Sequence, residues 1–540
     1  MKRFLLPIVT ILSLLIGITL GNVLAKRTFK WENSHASSQP PMMRAEKSKM
    51  DKFLWLVDNA YVDTLDMNHL TEEVIIDVLG KLDPHSSYIP AKDLEMVNSE
   101  LEGSFSGIGV QFNIQSDTVH VVAVISGGPS ESAGLVAGDR IIEVDDSTFV
   151  GKTINNEKVM QHLRGPKGTQ VKLGVKRHGT KETLYYNITR ADIPVKVVDA
   201  AYMVTPDIGF IRLSKFGEKT YVEFLSSLAK LRSKGATKYI IDLRENSGGY
   251  MDQAINIVNE FLEKGDLIVY SEGKAYPRYE ATATGSGSFK HAPIAVLIDE
   301  FSASASEIFA GAIQDNDRGV IIGRRSFGKG LVQQQYAFND GAAMRLTIAR
   351  YYTPSGRCIQ KPYEMGEGED YMFDILNRYE RGEFYSKDSI HLEDTIPYYT
   401  KKGRVVYGGG GIMPDHFIPR DTTHNTPYYN KVVNYAYTYQ FAYTYTDTHR
   451  EQLNQFHTWQ EMEKHLDQQQ LLQQFVKFAE TKGVAPEWKE IRKSEKAILR
   501  LIKAYITRNI LDDEGFYPIF LQDDLMIEDA VKALQHPQEN

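Results

Sequence analysis

Apolar positions recur with three different rhythms along this chain, and each rhythm predicts a different architecture. Between residues 49 and 82 they fall at helical spacing: Phe53, Leu56, Val57 and Ala60, then Val74, Ile75, Val78 and Leu79. The run Asp83-Pro84-His85-Ser86-Ser87-Tyr88-Ile89-Pro90 closes that helical segment. From 108 to 114 the pattern alternates, as in a half-buried strand, and further strands are expected at 118–125, 140–144, 170–176 and 183–188. A single helix is expected at 154–163. This stretch reads as a small, mainly β module.

From about 195 to 360 strands and helices take turns. Strands are expected at 208–213, 239–243, 294–298, 320–322 and 344–351, and helices at 221–232, 252–262 and 307–313. Such alternation predicts a layered α/β domain. A run of four glycines, 408–411, marks a boundary loop. Beyond about 425 the spacing is helical again, rich in Tyr, Gln, Glu and Lys. The expected division is 1–25 signal peptide or membrane anchor, 26–48 linker, 49–95 helical segment, 96–190 β module, 191–424 α/β domain and 425–540 helical extension. At 540 residues the chain exceeds what one hydrophobic core organises.

Composition narrows the chemistry. A net charge of −8 gives no basic footprint for nucleic acid. One cysteine, Cys358, rules out an internal disulfide and any multi-cysteine zinc site within the chain. The 14 histidines are scattered, so no metal ligand set is assigned, and no cofactor either. Lys2 and Arg3 precede an uncharged run over 4–25, about the ~20 residues that span a bilayer. Val23-Leu24-Ala25 has the small-residue character of a signal-peptidase site. With no cysteine near position 20, a lipid anchor is excluded. Export to a bacterial-type periplasm or cell envelope is the expectation, with an inner-membrane anchor if the run is retained.

Two segments carry candidate chemistry. Ser302-Ala303-Ser304-Ala305-Ser306-Glu307-Ile308 follows the 294–300 strand and opens a helix. A serine there sits on a sharp turn beside unpaired helix-start N–H groups, which suits an acyl-transfer nucleophile and its oxyanion. Simple N-capping is the competing reading. The second segment, Gly323 to Gln333, places Lys329 between Gly328 and Gly330 in a poorly charged stretch. A lysine acts as a general base when burial brings its pKa toward neutrality, and Gln333 can orient the amine. A phosphate-binding loop is disfavoured because Gly330 stands where Ser or Thr is needed. Ser326-x-x-Lys329 lacks the companion motifs of penicillin-binding enzymes. Gly248-Gly249 after the 239–243 strand offers either a tight turn or a second oxyanion donor. Gly107, Ile108, Gly109 and Val110 open the β module and form either a plain strand start or a nest for a carboxylate.

Taken together and in this order, these motifs resemble the carboxy-terminal processing, or tail-specific, serine proteases, which join a PDZ domain to a Ser/Lys catalytic domain. The resemblance also rests on Ala133-Gly134-Leu135 through Ile142 and on Asp242-Leu243-Arg244, and it covers about 50–420. It implies a multidomain α+β protein: a crotonase-like α/β protease core, a PDZ module, an N-terminal helical segment and an all-α C-terminal extension. It implies Ser304 as nucleophile, Lys329 as base, Gln333 as its support, and the N–H groups of Ala305 and of Gly248 or Gly249 as oxyanion donors. It implies protein substrates held by free C-terminal tails at residues 107–110, with no cofactor or metal. An apolar last residue is expected, walled by Met160 and Leu163. The C-terminal helices are assigned as a surface for a homo-oligomer or an adaptor. Glu245-Asn246-Ser247 departs from the Asn-Pro that many relatives carry before the glycines. The alternatives are a catalytically silent PDZ scaffold in the cell envelope and a peptidoglycan-active serine enzyme.

Overall fold

The computed structural model describes residues 48–115, 117–125, 127–177, 179–391 and 395–536. The expected signal peptide or anchor and nearly all of the linker lie outside the described residues. Among the described residues no helix is long and apolar enough to cross a membrane.

The described residues up to Val74 and those from Ile75 onward form two compact units. The first holds helix α1 (Lys49–Ala60), started by a capping box in which Ser48 and Asp51 satisfy each other's backbone N–H groups. Helix α2 (Met67–Gly80) runs on into the second unit. There a short strand, β1 (Ser87–Ile89), precedes helix α3 (Ala91–Glu102), which ends on Gly103 in the left-handed region.

The β module is a sheet of β2 (Val110–Gln115), β3 (Thr118–Val124), β4 (Arg140–Val144), β5 (Gln170–Lys176) and β6 (Leu184–Thr189), paired antiparallel in that order. Strand β2 lies at the edge. Helix α4 (Asn156–Leu163), capped by the Asn155 side chain, buries Val159 and Leu163 in the module's core with Ile108, Val121 and Leu173.

The α/β domain is built on β7 (Val198–Met203), β8 (Ile208–Leu213), β9 (Lys238–Asp242), β12 (Ile294–Ile298), β13 (Val320–Gly323) and β16 (His416–Phe417), again in spatial order. Every neighbouring pair from β8 to β16 is parallel. Parallel strands covered on both faces read as continuous apolar runs, which is why 239–241 and 294–298 carry no polar alternation. One face (Tyr239, Ile241, Val296, Ile298) packs on α5 (Thr220–Ser233), α6 (Met251–Asn259) and α7 (Ala305–Asp315). A second sheet holds β10 (Leu267–Glu272), β11 (Tyr279–Thr282), β14 (Leu331–Ala337) and β15 (Ala343–Tyr352). Strand β1 pairs with β15 in register Ser87–Arg345 to Ile89–Ala343, so the segment expected to close a helical piece also joins this second sheet.

Helix α8 (Gly368–Glu380) flanks this domain. The extension is helical as its spacing predicts and includes α9 (Tyr437–Leu453), α10 (Trp488–Phe520, kinked at Asp512) and α11 (Leu525–Gln535). Two of its contacts make it more than an appendage. Helix α11 lays Met526, Ile527, Ala530 and Leu534 on the second face of the parallel sheet, against Phe210, Ile240, Leu297 and Ile322. Helix α9 meets the β module along one face. Tyr439 lies beside Asn113, Tyr443 packs edge-on against His120 (5.2 Å), and Asp447 pairs with Arg140 (3.5 Å).

Candidate active site

The three alternating serines have unequal surroundings. Ser302 is buried and its Oγ donates to Leu243 O (2.8 Å) while accepting from Asp299 N–H (2.9 Å). Ser306 is buried and donates to Asn246 O (2.9 Å). Ser304 is half-buried; it shares a capping-box arrangement with Glu307, but its hydroxyl donates to no acceptor among the described residues. The first-turn amides of Glu307 and Ile308 donate to its carbonyl oxygen (2.8 and 3.0 Å). Its backbone is strained, at φ 55° and ψ −115°, a conformation that costs about 1–3 kcal/mol and persists only where the surroundings impose it. Plain capping does not need this geometry, whereas an exposed nucleophile on a sharp turn does.

Glu307 ties this turn to the lysine loop. Its carboxylate is fully buried and accepts four bonds: Ser304 N–H (2.8 Å) and Lys329 N–H (2.8 Å) on Oε2, Gly328 N–H (2.7 Å) and Ser326 Oγ (2.5 Å) on Oε1. Burial pushes its pKa up to about 7, against the pull of those donors. Tyr351, buried on β15, makes a second tie, its hydroxyl directed at the carbonyl oxygens of both Ser304 (3.1 Å) and Lys329. Sequence reasoning assigned neither residue a role. The Ser-x-x-Glu spacing of a capping box pointed to Glu307; nothing local pointed to Tyr351, which arrives through strand pairing.

Lys329 Nζ donates to Gln333 Oε1 (3.0 Å). Burial lowers the lysine pKa, Arg345 adds to the effect, and Glu307 and Asp83 oppose it. Gln333 Nε2 in turn donates to the carbonyl oxygen of His85, a partner the sequence did not suggest. The His85 ring is held near Tyr371 Oη (2.9 Å), and its pKa falls to about 4 because it is buried beside Lys329.

The Gly248-Gly249 turn lies against the serine. A Cβ on Gly248 (φ +97°) would stand 2.7 Å from Ser304 Cβ and 2.9 Å from Ala305 N. The Gly248 N–H already donates to Asn246 Oδ1 (2.9 Å). The turn's bridge to Phe216 uses Gly248 O and Tyr250 N–H, leaving the Gly249 N–H out of it. In the β module, Gly109 adopts φ +77°, and the carbonyl oxygens of Ile108 and Gly109 are taken by Ser130 and Ile125 N–H groups (3.0 Å each). Of the two expected wall residues, Met160 is half-buried but Leu163 is sunk in the module's core.

Comparison with known proteins bears on the family of the chain. Residues 207–366 match the model of peptidase family S41, residues 106–188 a PDZ domain, and residues 428–512 a family of unknown function. A carboxy-terminal-processing protease of Bartonella bacilliformis is 39% identical over 56% of this chain and 70% of its own length. The carboxy-terminal processing protease CtpB of Bacillus subtilis is 33% identical over 58% and 65%. Among solved structures, a photosystem II D1 C-terminal processing protease covers 59% of this chain and 90% of its own, with 26% identity and a TM-score of 0.33. With 39% identity across 70% of the Bartonella protein, the chain belongs to the carboxy-terminal processing proteases, PDZ-bearing serine peptidases of family S41.

Proposed function

We propose that this enzyme holds a protein's free C-terminal tail in its PDZ module and cleaves the chain with Ser304 and Lys329. Neutral Lys329 takes the hydroxyl proton as Ser304 Oγ bonds to the scissile carbonyl carbon and the carbonyl electron pair moves onto oxygen. That oxyanion is received by the N–H of Ala305 and, of the two glycines, by Gly249, since Gly248 already donates to Asn246. Collapse expels the amine, which takes the proton back from Lys329. Water, deprotonated by the same lysine, then adds to the acyl carbon, and Ser304 Oγ leaves with the proton returned by Lys329, which frees the acid product and restores the neutral amine. Gln333 holds the lysine amine throughout. The N-terminal apolar run supports export to the cell envelope, and the C-terminal helices offer a surface for an adaptor or a second copy.

The observation that carries this reading is the unequal use of the three serine hydroxyls: two are spent on backbone carbonyls and Ser304 is not. Digestion of an unstructured protein substrate tests it. Ser304→Ala lowers kcat by at least about 10⁴-fold, while Ser302→Ala and Ser306→Ala keep measurable cleavage. A dead Ser302 or Ser306 variant beside an active Ser304→Ala would move the nucleophile. Membership of a peptidase family disfavours the silent-scaffold alternative.

A further inference from the structure

The motif Asp83-Pro84-His85-Ser86 lies outside the stretch matched by the peptidase model, yet it reaches the lysine's hydrogen-bond partner. We propose that this segment is a positioning strap for the general base: the Asp83 turn presents the His85 carbonyl oxygen to Gln333 and so dictates which end of the carboxamide faces Lys329. This rests on the Ser304–Lys329 reading given above.

A carbonyl oxygen can only accept a hydrogen bond. His85 O therefore draws the NH₂ end of Gln333 toward itself and leaves Oε1 for the lysine amine. The chemistry requires that orientation. A neutral amine has two hydrogens and one lone pair, and donating a hydrogen to Oε1 keeps the lone pair for the Ser304 proton. A carboxamide turned the other way would place an N–H on that lone pair and block the base.

The direction of the His85 carbonyl is fixed in turn by Asp83, which is buried. Its Oδ1 accepts from His85 N–H (2.9 Å), Ser86 N–H (3.0 Å) and Thr347 Oγ1 (2.9 Å), and its Oδ2 from Ser86 Oγ (2.5 Å). Thr347 N–H closes the loop on Ser86 Oγ (3.1 Å), and β1 continues onto β15. Asp83 is thus a positioning residue, acting through the backbone.

The test uses the full chain and two readouts. One is the rate at which a small fluorophosphonate labels the active serine, which needs no tail; the other is kcat and KM on a tailed peptide. Asp83→Ala should slow labelling and lower kcat at least tenfold, with KM within twofold of wild type. Asp83→Asn keeps the Oδ1 acceptor for three donors and should recover most of that loss. If Asn behaves like Ala, the effect is one of charge and the strap is overturned; so it is if the loss falls on KM. If Asp83→Ala does not fold, Thr347→Val, which removes one donor to Asp83, is read instead. Slower labelling with cooperative melting retained supports the strap, and wild-type labelling overturns it. Ser304→Ala separates the two readings. Labelling that persists there sinks the nucleophile assignment. Labelling that is lost there but normal in the strap variants sinks the strap alone.

Discussion

Burial penalises the ammonium form of Lys329, the Arg345 charge acts in the same direction, and Glu307 and Asp83 pull back without reversing the shift. The neutral base is therefore populated below the usual lysine range. The sign follows: kcat/KM should rise with pH through an apparent pKa below ~10.4 and level off above it, with Glu307, raised to about 7 by burial, titrating within the same range, so that the lysine limb is the one that persists in Glu307→Gln. His85, neutral above about 4, does not contribute that limb. A flat profile from mild acid to mild alkali would remove the lysine from the mechanism. At the same scale, Gly248 has no room for a Cβ, which would stand 2.7 Å from both Ala303 O and Ser304 Cβ. Gly248→Ala should displace the serine turn and cost about 10²-fold in kcat, the scale of a lost oxyanion contact, read by steady-state kinetics beside a thermal melt.

Among the elements, β2 matters because it is the edge strand of its sheet and begins at Val110, directly after the Gly107-Ile108-Gly109 segment. A tail added to that edge gains backbone bonds worth about 1 kcal/mol each, so its terminal carboxylate counts for much of the selectivity. Amidating the C-terminus of a model substrate should slow cleavage markedly; equal rates for amide and free acid would remove tail recognition by this module. Elements of this kind were legible in the sequence because their periodicity is local. The alternation at 108–114 and the apolar run at 294–298 each gave a strand, and Ser304, Lys329 and Gln333 stood out within single segments. Tyr351 and Asp83 did not stand out. Their contacts to Lys329 O and to Thr347 Oγ1 depend on which strands pair with β15, and pairing joins residues far apart in the chain. Glu307 lay between these cases, visible as a cap but not as the hub of two loops.

At the scale of the whole molecule, the extension holds two parts of the enzyme at once. Tyr439, Tyr443 and Asp447, four residues apart, put one stripe of α9 against the PDZ module, while α11 covers the parallel sheet. Ile527, 6% exposed, is part of that cover. Ile527→Ala should cost about 2–5 kcal/mol, and calorimetry should show the loss in the protease transition rather than in a separate helical one. The α11 cover also has a bearing on the order of events in a ribosome-made chain. Phe210 and Ile240 are synthesised roughly 300 positions before the helix that shields them. During that interval one side of the sheet is a bare apolar plate, the kind of surface that sticks to other chains or occupies a chaperone. Until residues 525–535 arrive, the sheet that carries the Ser304 turn lacks the cover of its second face.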